Sequence, residues 1–126
     1  MGKIKLFEGD IKLMEILWEN EGATAKELTL LAAEIIGWNK NTTYTVVKKL
    51  VAKGAIKREE PGFVCHSLIS REETGREEAK AVARSFFGGS VKSMFSSFMT
   101  GGVLSDEEAE ELRRMIADNK DTHGSE

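Results

Sequence analysis

One stretch, Asn39 to Gly54 (N-K-N-T-T-Y-T-V-V-K-K-L-V-A-K-G), constrains the fold more than any other. Thr43, Val46, Val47, Leu50 and Val51 recur at helical spacing and define one buried stripe. Asn39 and Asn41 can each serve as an N-cap, accepting a hydrogen bond from an orphan N–H of the first turn. Gly54 suits the left-handed residue that ends a helix. The outward face carries Thr42, Tyr44, Thr45, Lys48 and Lys49, with Lys40 at its start and Lys53 at its end. It holds hydroxyls and cations and no carboxylate. Lysine meets phosphate charge, and Asn, Thr and Tyr can hydrogen-bond to base edges and backbone. An ordinary solvated helix face has the same residue types, so the flanking segments decide between the two readings.

Those flanks supply a recognisable arrangement. Ile11, Met14, Leu17 and Trp18 mark a first helix over Asp10–Asn20. Thr24-Ala25-Lys26-Glu27 is a capping box. It opens a second helix with Leu28, Leu31, Ala32, Ile35 and Ile36 inward and Gly37 as its stop. Three short helices, the last two joined tightly, form a helix-turn-helix. After Gly54 the period changes. Ala55–Glu60 and Phe63–Ile69 read as two strands around a Pro61-Gly62 turn. The expected fold is mainly α with a small β-hairpin. An N-terminal winged helix-turn-helix spans residues 1–70, and a helical dimerisation domain spans 71–126. The expected DNA contacts divide in two. Asn41, Thr42, Tyr44, Thr45 and Lys48 would reach the groove. Lys26, Lys40, Lys49, Lys53, Lys57 and Arg58 would meet phosphates.

Charge distribution supports this reading. The chain is mildly acidic, with a net charge of −3. Residues 1–69 hold 10 Lys/Arg against 9 Asp/Glu, and residues 70–126 hold 8 against 12. From Trp38 to Arg58 there are six cations and no acid, a local footprint for a polyanion. The remaining acidity limits non-specific attachment to DNA.

In the C-terminal half, Ser70 with Glu73 and Ser105 with Glu108 form further capping boxes. Gly88-Gly89 and Gly101-Gly102 separate three amphipathic segments. Phe86, Phe87, Met94, Phe95 and Phe98 make one apolar stripe, and Leu112, Met115 and Ile116 face inward on the last helix. Residues 118–126 read as a frayed tail. So few residues cannot bury three apolar faces alone, and a second copy of the chain is the expected cover. Two reading heads on a two-fold axis match a palindromic operator.

Other classes find little support. No apolar run reaches the ~20 residues that span a bilayer, and residues 1–6 lack the apolar core of a signal peptide. With one cysteine, Cys65, no internal disulfide is possible, and a cytoplasmic location with no membrane insertion is expected. Cys65 and His66 are adjacent in a strand and point to opposite faces. A zinc site needs three or four ligands, so neither a metal nor a cofactor is expected. Nor does any catalytic constellation stand out.

The chain as a whole resembles the penicillinase and methicillin-resistance repressors of bacteria. The matching residues are Met14-Glu15-Ile16-Leu17-Trp18, Trp38, Asn41 through Leu50, Lys53-Gly54, Gly88-Gly89 and Leu104-Ser105. The resemblance implies a homodimeric repressor with an N-terminal winged helix. It also implies release by a membrane sensor-transducer protease that responds to β-lactams and cuts within the dimerisation domain. The counterpart of the family's Asn-Phe scissile bond is Ser97-Phe98, with Ser in place of Asn and the segment one residue longer. Tyr44 and Lys49 stand where the family often has Arg, and neither can make arginine's bidentate contact with guanine. The cysteine-rich tail motif of copper-responsive relatives has no counterpart. Two alternatives remain on the residues alone: a winged-helix regulator switched by a small ligand without cleavage, and a winged-helix protein-interaction module.

Overall fold

A computed structural model describes residues 4–123, with side chains to residue 119. The order is α1 (Glu8–Glu19), α2 (Ala25–Ile36), α3 (Lys40–Lys53), β1 (Ile56–Glu59), β2 (Val64–Ser67), α4 (Arg71–Phe86), α5 (Val91–Thr100) and α6 (Asp106–His123). The chain divides into two compact units, Met1–Arg76 and Glu77–Glu126.

The first unit is a winged helix. Leu13, Met14, Leu17, Leu28, Val47, Leu50 and Ile56 are fully or almost fully buried and interlock the three helices with the hairpin. Burying a side chain of this size stabilises a fold by about 1.5–3 kcal/mol before entropy is counted. The second helix forms as its capping box dictates: the Glu27 N–H donates to Thr24 Oγ1 at 3.1 Å, and the Thr24 N–H donates to Glu27 Oε1 at 2.8 Å. Gly37 closes it at φ 71°, in the left-handed region that glycine enters without steric cost. Ile35, expected inward, is 58% exposed. It lies one residue before Ile36, which turns toward the core instead.

The first helix begins two residues earlier than its apolar pattern indicates. Asp10 acts as the third helical residue, and its carboxylate accepts the Phe7 N–H at 2.9 Å. The hairpin pairs antiparallel, with Ile56 opposite Ser67 and Glu59 opposite Val64. A third short segment joins it. Thr24 bridges Val64, the Ala25 N–H donates to the Phe63 carbonyl at 2.9 Å, and the Cys65 N–H donates to the Ala23 carbonyl at 2.9 Å. This pairing fixes the hairpin to the start of α2. Trp18 Nε1 donates to the Ile69 carbonyl at 2.9 Å, anchoring the chain where it leaves the wing.

In the second unit α5 and α6 start on serine caps, Ser90 and Ser105. Ala83 and Met94 are buried, while Val82, Phe86, Phe95, Met99, Met115 and Ile116 are exposed. Met115 and Ile116, expected to face inward, are therefore uncovered within this chain. The last helix continues through Asp118 to His123, where a frayed tail was expected. No glycine or proline interrupts it before Gly124. Residues 124–126 of that expected tail lie outside the described residues. No helix among the described residues is long and apolar enough to cross a membrane.

Candidate nucleic-acid interface

The third helix is built as its sequence requires. Asn39, not Asn41, caps it: Oδ1 accepts the Thr42 N–H at 2.8 Å. That leaves Asn41 inside the first turn with its side chain exposed. Gly54, at φ 86°, ends the helix. Thr43 is fully buried and satisfies its hydroxyl by donating to the Asn39 carbonyl at 3.1 Å. Val47 and Leu50 are buried beside it, and Val46 and Val51 are half-buried. Lys40, Asn41, Thr42, Thr45, Lys48 and Lys49 are all exposed, so one helix presents three neutral polar side chains and three amines together on its outer surface. Lys26 on α2 and Lys57 on β1 are exposed as well. Among the described residues Lys26, Lys40, Lys48 and Lys57 have no ion-pair partner.

The remaining cations are engaged. Lys53 donates to Asp10 Oδ2 at 2.9 Å and to the Lys5 carbonyl at 2.6 Å. Its side chain is 23% exposed, and its amine stands 4.8 Å from the centre of the Phe7 ring. Lys53, expected to meet phosphate, is thus committed inside the unit. Lys49 is intermediate. Its amine lies 3.0 Å from Asp10 Oδ1, an oxygen with no well-angled hydrogen bond of its own, so this ion pair is what satisfies it. Lys49 is also 45% exposed, leaving part of its amine to solvent.

Asp10 is fully buried at the meeting point of the N-terminal segment and the last turn of α3. Burial alone would raise its pKa. The hydrogen bonds from the Phe7 N–H and Lys53, with the nearby Lys49 charge, outweigh that effect and hold the carboxyl below its ordinary value. The sequence carries no local sign of this centre, because Asp10 and its two lysines are about 40 residues apart.

Two positions tie α3 to the wing. Tyr44 is half-buried, and its ring lies 6.4 Å from that of Phe63, inclined at 59°. The Arg58 guanidinium carbon sits 3.7 Å from the centre of the same ring, and Arg58 Nε donates to Glu60. Glu60 also accepts the Phe63 N–H at 3.3 Å. The hydrogen bond from Arg58 keeps the Glu60 carboxyl below its ordinary pKa. Phe63 and Glu60 carry no charge pattern or spacing that singles them out in the sequence.

Cys65 is fully buried, and burial raises its thiol pKa to about 11. His66 Nε2 instead approaches Glu59 at 3.3 Å across the hairpin. Among the described residues no group of three or more His, Cys, Asp or Glu side chains could hold a metal ion.

The family model described as Penicillinase repressor matches residues 8–118. The chain is 22% identical over 118 residues to the penicillinase repressor of Bacillus licheniformis and 27% identical over 118 residues to that of Staphylococcus aureus, covering 92% of each chain in both cases. It is 25% identical over 107 residues to the methicillin resistance regulatory protein MecI of Mammaliicoccus sciuri, covering 83% of this chain and 87% of that one. Among solved structures, the DNA binding domain of the repressor BlaI superposes with a TM-score of 0.52 at 22% identity, covering 58% of this chain and 93% of that domain. This last likeness shows the winged-helix fold. The match over residues 8–118 shows more: this chain belongs to the penicillinase repressor family.

Proposed function

We propose that this protein is a homodimeric transcriptional repressor that blocks a promoter by binding a palindromic operator through α3 and the wing. One observation carries the reading. The exposed face of α3 gathers Asn41, Thr42, Thr45 and Lys48 without a carboxylate, on a helix whose other side is locked into the core. A helix of this kind fits the major groove, where amide and hydroxyl groups meet base edges. Lys26, Lys40, Lys57 and the exposed part of Lys49 serve as phosphate contacts, each releasing counterions. Tyr44 contributes mainly by its packing on the wing. Affiliation with a family of repressors supports the same direction.

The second unit supplies the dimer in this reading. Phe86, Phe95, Met99, Met115 and Ile116 are 43–79% exposed on helices with apolar faces. So much uncovered aromatic and aliphatic surface marks an interaction site. Phe87, Met94, Phe98 and Leu112 line the better-covered side of the same stripe. A second copy presents an identical surface and closes it by two-fold symmetry. Release then comes from cleavage at Ser97–Phe98 by a membrane sensor-transducer protease, the step implied by resemblance to the β-lactam-responsive relatives. That bond lies within α5, where the Gly101 N–H donates to the Ser97 carbonyl at 2.9 Å, so the helix must open before a protease can engage an extended strand.

The test is a mobility shift of the purified protein on duplex DNA from its own promoter region, at several salt concentrations, alongside sedimentation. Saturable binding by a dimer that survives competitor DNA is the expected result. Uniformly weak, steeply salt-dependent binding, or a monomer at micromolar concentration, refutes the reading. Mass spectrometry of protein recovered from β-lactam-treated cells tests cleavage separately. Fragments divided between residues 97 and 98 are expected, and an intact chain under derepressing conditions excludes that step.

A further inference from the structure

The wing carries an acid on a surface that should meet polyanionic DNA. Glu60 stands at the wing tip beside Lys57 and Arg58, and it is exposed. Its carboxylate is nonetheless held on both sides, by Arg58 Nε and by the Phe63 N–H. The guanidinium carbon lies over the Phe63 ring, 3.7 Å from its centre. Arg58 therefore has one edge and one face fixed, and its two terminal nitrogens have no partner among the described residues. A guanidinium oriented in this way presents a free fork of N–H groups, which matches two phosphate oxygens. Phe63 itself sits at φ 55°. A left-handed backbone costs a bulky residue about 1–2 kcal/mol, and glycine or asparagine would occupy the position more cheaply. The ring has a use that offsets this cost: it contacts Arg58 on the wing and Tyr44 on α3.

We propose that Glu60 and Phe63 are positioning residues that preset Arg58 as a phosphate clasp on the wing, coupled to the third helix through Tyr44. The inference deepens the operator-binding reading and rests on it. In the clasp, Glu60 favours DNA binding although its charge opposes DNA. Simple electrostatics and preorganisation therefore predict opposite signs for one substitution.

The experiment uses the full-length protein and a duplex recovered by the wild type from a random-sequence pool, with affinity measured across salt concentrations. Glu60→Ala removes a negative charge, and charge alone predicts tighter binding. The clasp predicts binding about three- to tenfold weaker, the scale of losing one preorganised long side chain. Phe63→Leu keeps apolar volume without the ring and lowers the salt slope by about one ion, as Arg58→Ala does. Phe63→Tyr retains the wild-type slope. In the double variant, Phe63→Leu adds nothing to Arg58→Ala, because both remove the same contact. Tryptophan fluorescence confirms that each variant is folded. Tighter binding by Glu60→Ala, or additive losses in the double variant, overturns the clasp and leaves operator binding intact. Failure of the wild type to enrich any sequence overturns both.

Discussion

Replacing Asp10 with Asn should destabilise the winged helix by about 2–4 kcal/mol. Asp10 is fully buried, accepts hydrogen bonds from the Phe7 N–H and the Lys53 amine, and forms an ion pair with the Lys49 amine. Asparagine can keep the Phe7 hydrogen bond through its carbonyl oxygen but loses the charge attraction to both lysines. A hydrogen bond to a charged group contributes roughly 1.5–3 kcal/mol, and granting the Lys49 ion pair as much as the Lys53 hydrogen bond sets an upper bound near 6. The value is discounted because the lysine side chains are 23% and 45% exposed and recover hydration when released. For a unit of this size each kcal/mol moves the melting temperature by about 4–8 °C, so a drop of roughly 10 °C or more is expected.

Trp18 and Trp38 are the two tryptophans of the chain, and both pack against the core of the first unit. Tryptophan fluorescence during thermal melting therefore reports this unit, at fixed protein concentration because dimerisation shifts apparent stability. Acid supplies a second, signed check. The folded Asp10 has a pKa below its ordinary value of 3.8. Its stabilisation is thus fully present above the unfolded value and fades as pH falls through the folded one. Wild type and Asp10→Asn should differ most near neutrality and converge well below pH 4. A shift of less than about 2 °C at pH 7, or a difference that grows in acid, would show that the two lysines do not depend on this carboxylate.

Other substitutions separate the engaged cations from the free ones. Lys48→Ala should weaken operator binding and lower the salt slope by about one ion, whereas Lys53→Met should leave the slope unchanged and lower the fluorescence-monitored melting temperature. Equal slope losses for the two would show that Lys53 leaves Asp10 on DNA. Thr24→Ala removes the cap of α2 and should cost about 1 kcal/mol in urea denaturation; a change under a few tenths would mean that the Ala25–Phe63 pairing holds that end alone. The Cys65 thiol, pushed up to about 11 by burial, should resist a disulfide reagent at pH 8 in native protein and react at once in denaturant. Rapid native labelling would mean that β2 opens readily. Phe95→Asp should convert the dimer to monomer in sedimentation while tryptophan fluorescence stays native, and a persistent dimer would place the interface elsewhere.

What could be read from residues alone divides along a physical line. Features fixed within one helical turn or one hairpin were legible. The Thr24–Glu27 box, the glycine stops at 37 and 54 and the Thr43/Val47/Leu50 stripe all emerge from spacing, because their partners lie three or four residues away. Asn39 won over Asn41 for the same local reason: its place three residues before Thr42 puts Oδ1 against the Thr42 N–H. Features set by pairing across the chain were not legible. A list of lysines on α3 cannot distinguish Lys48, which faces solvent, from Lys53, which ends on a carboxylate more than 40 residues upstream. Ile35 failed for a related reason: periodicity places a residue on a stripe but does not say how wide a stripe the neighbouring element covers. The wing shows the same limit in sharper form. Glu60 reads as an unfavourable charge and Phe63 as a strand residue until Arg58 is seen lying between the carboxylate and the ring. Counting cations overstates the surface available to DNA. It also hides the acids at positions 10 and 60, which decide where three of those cations point.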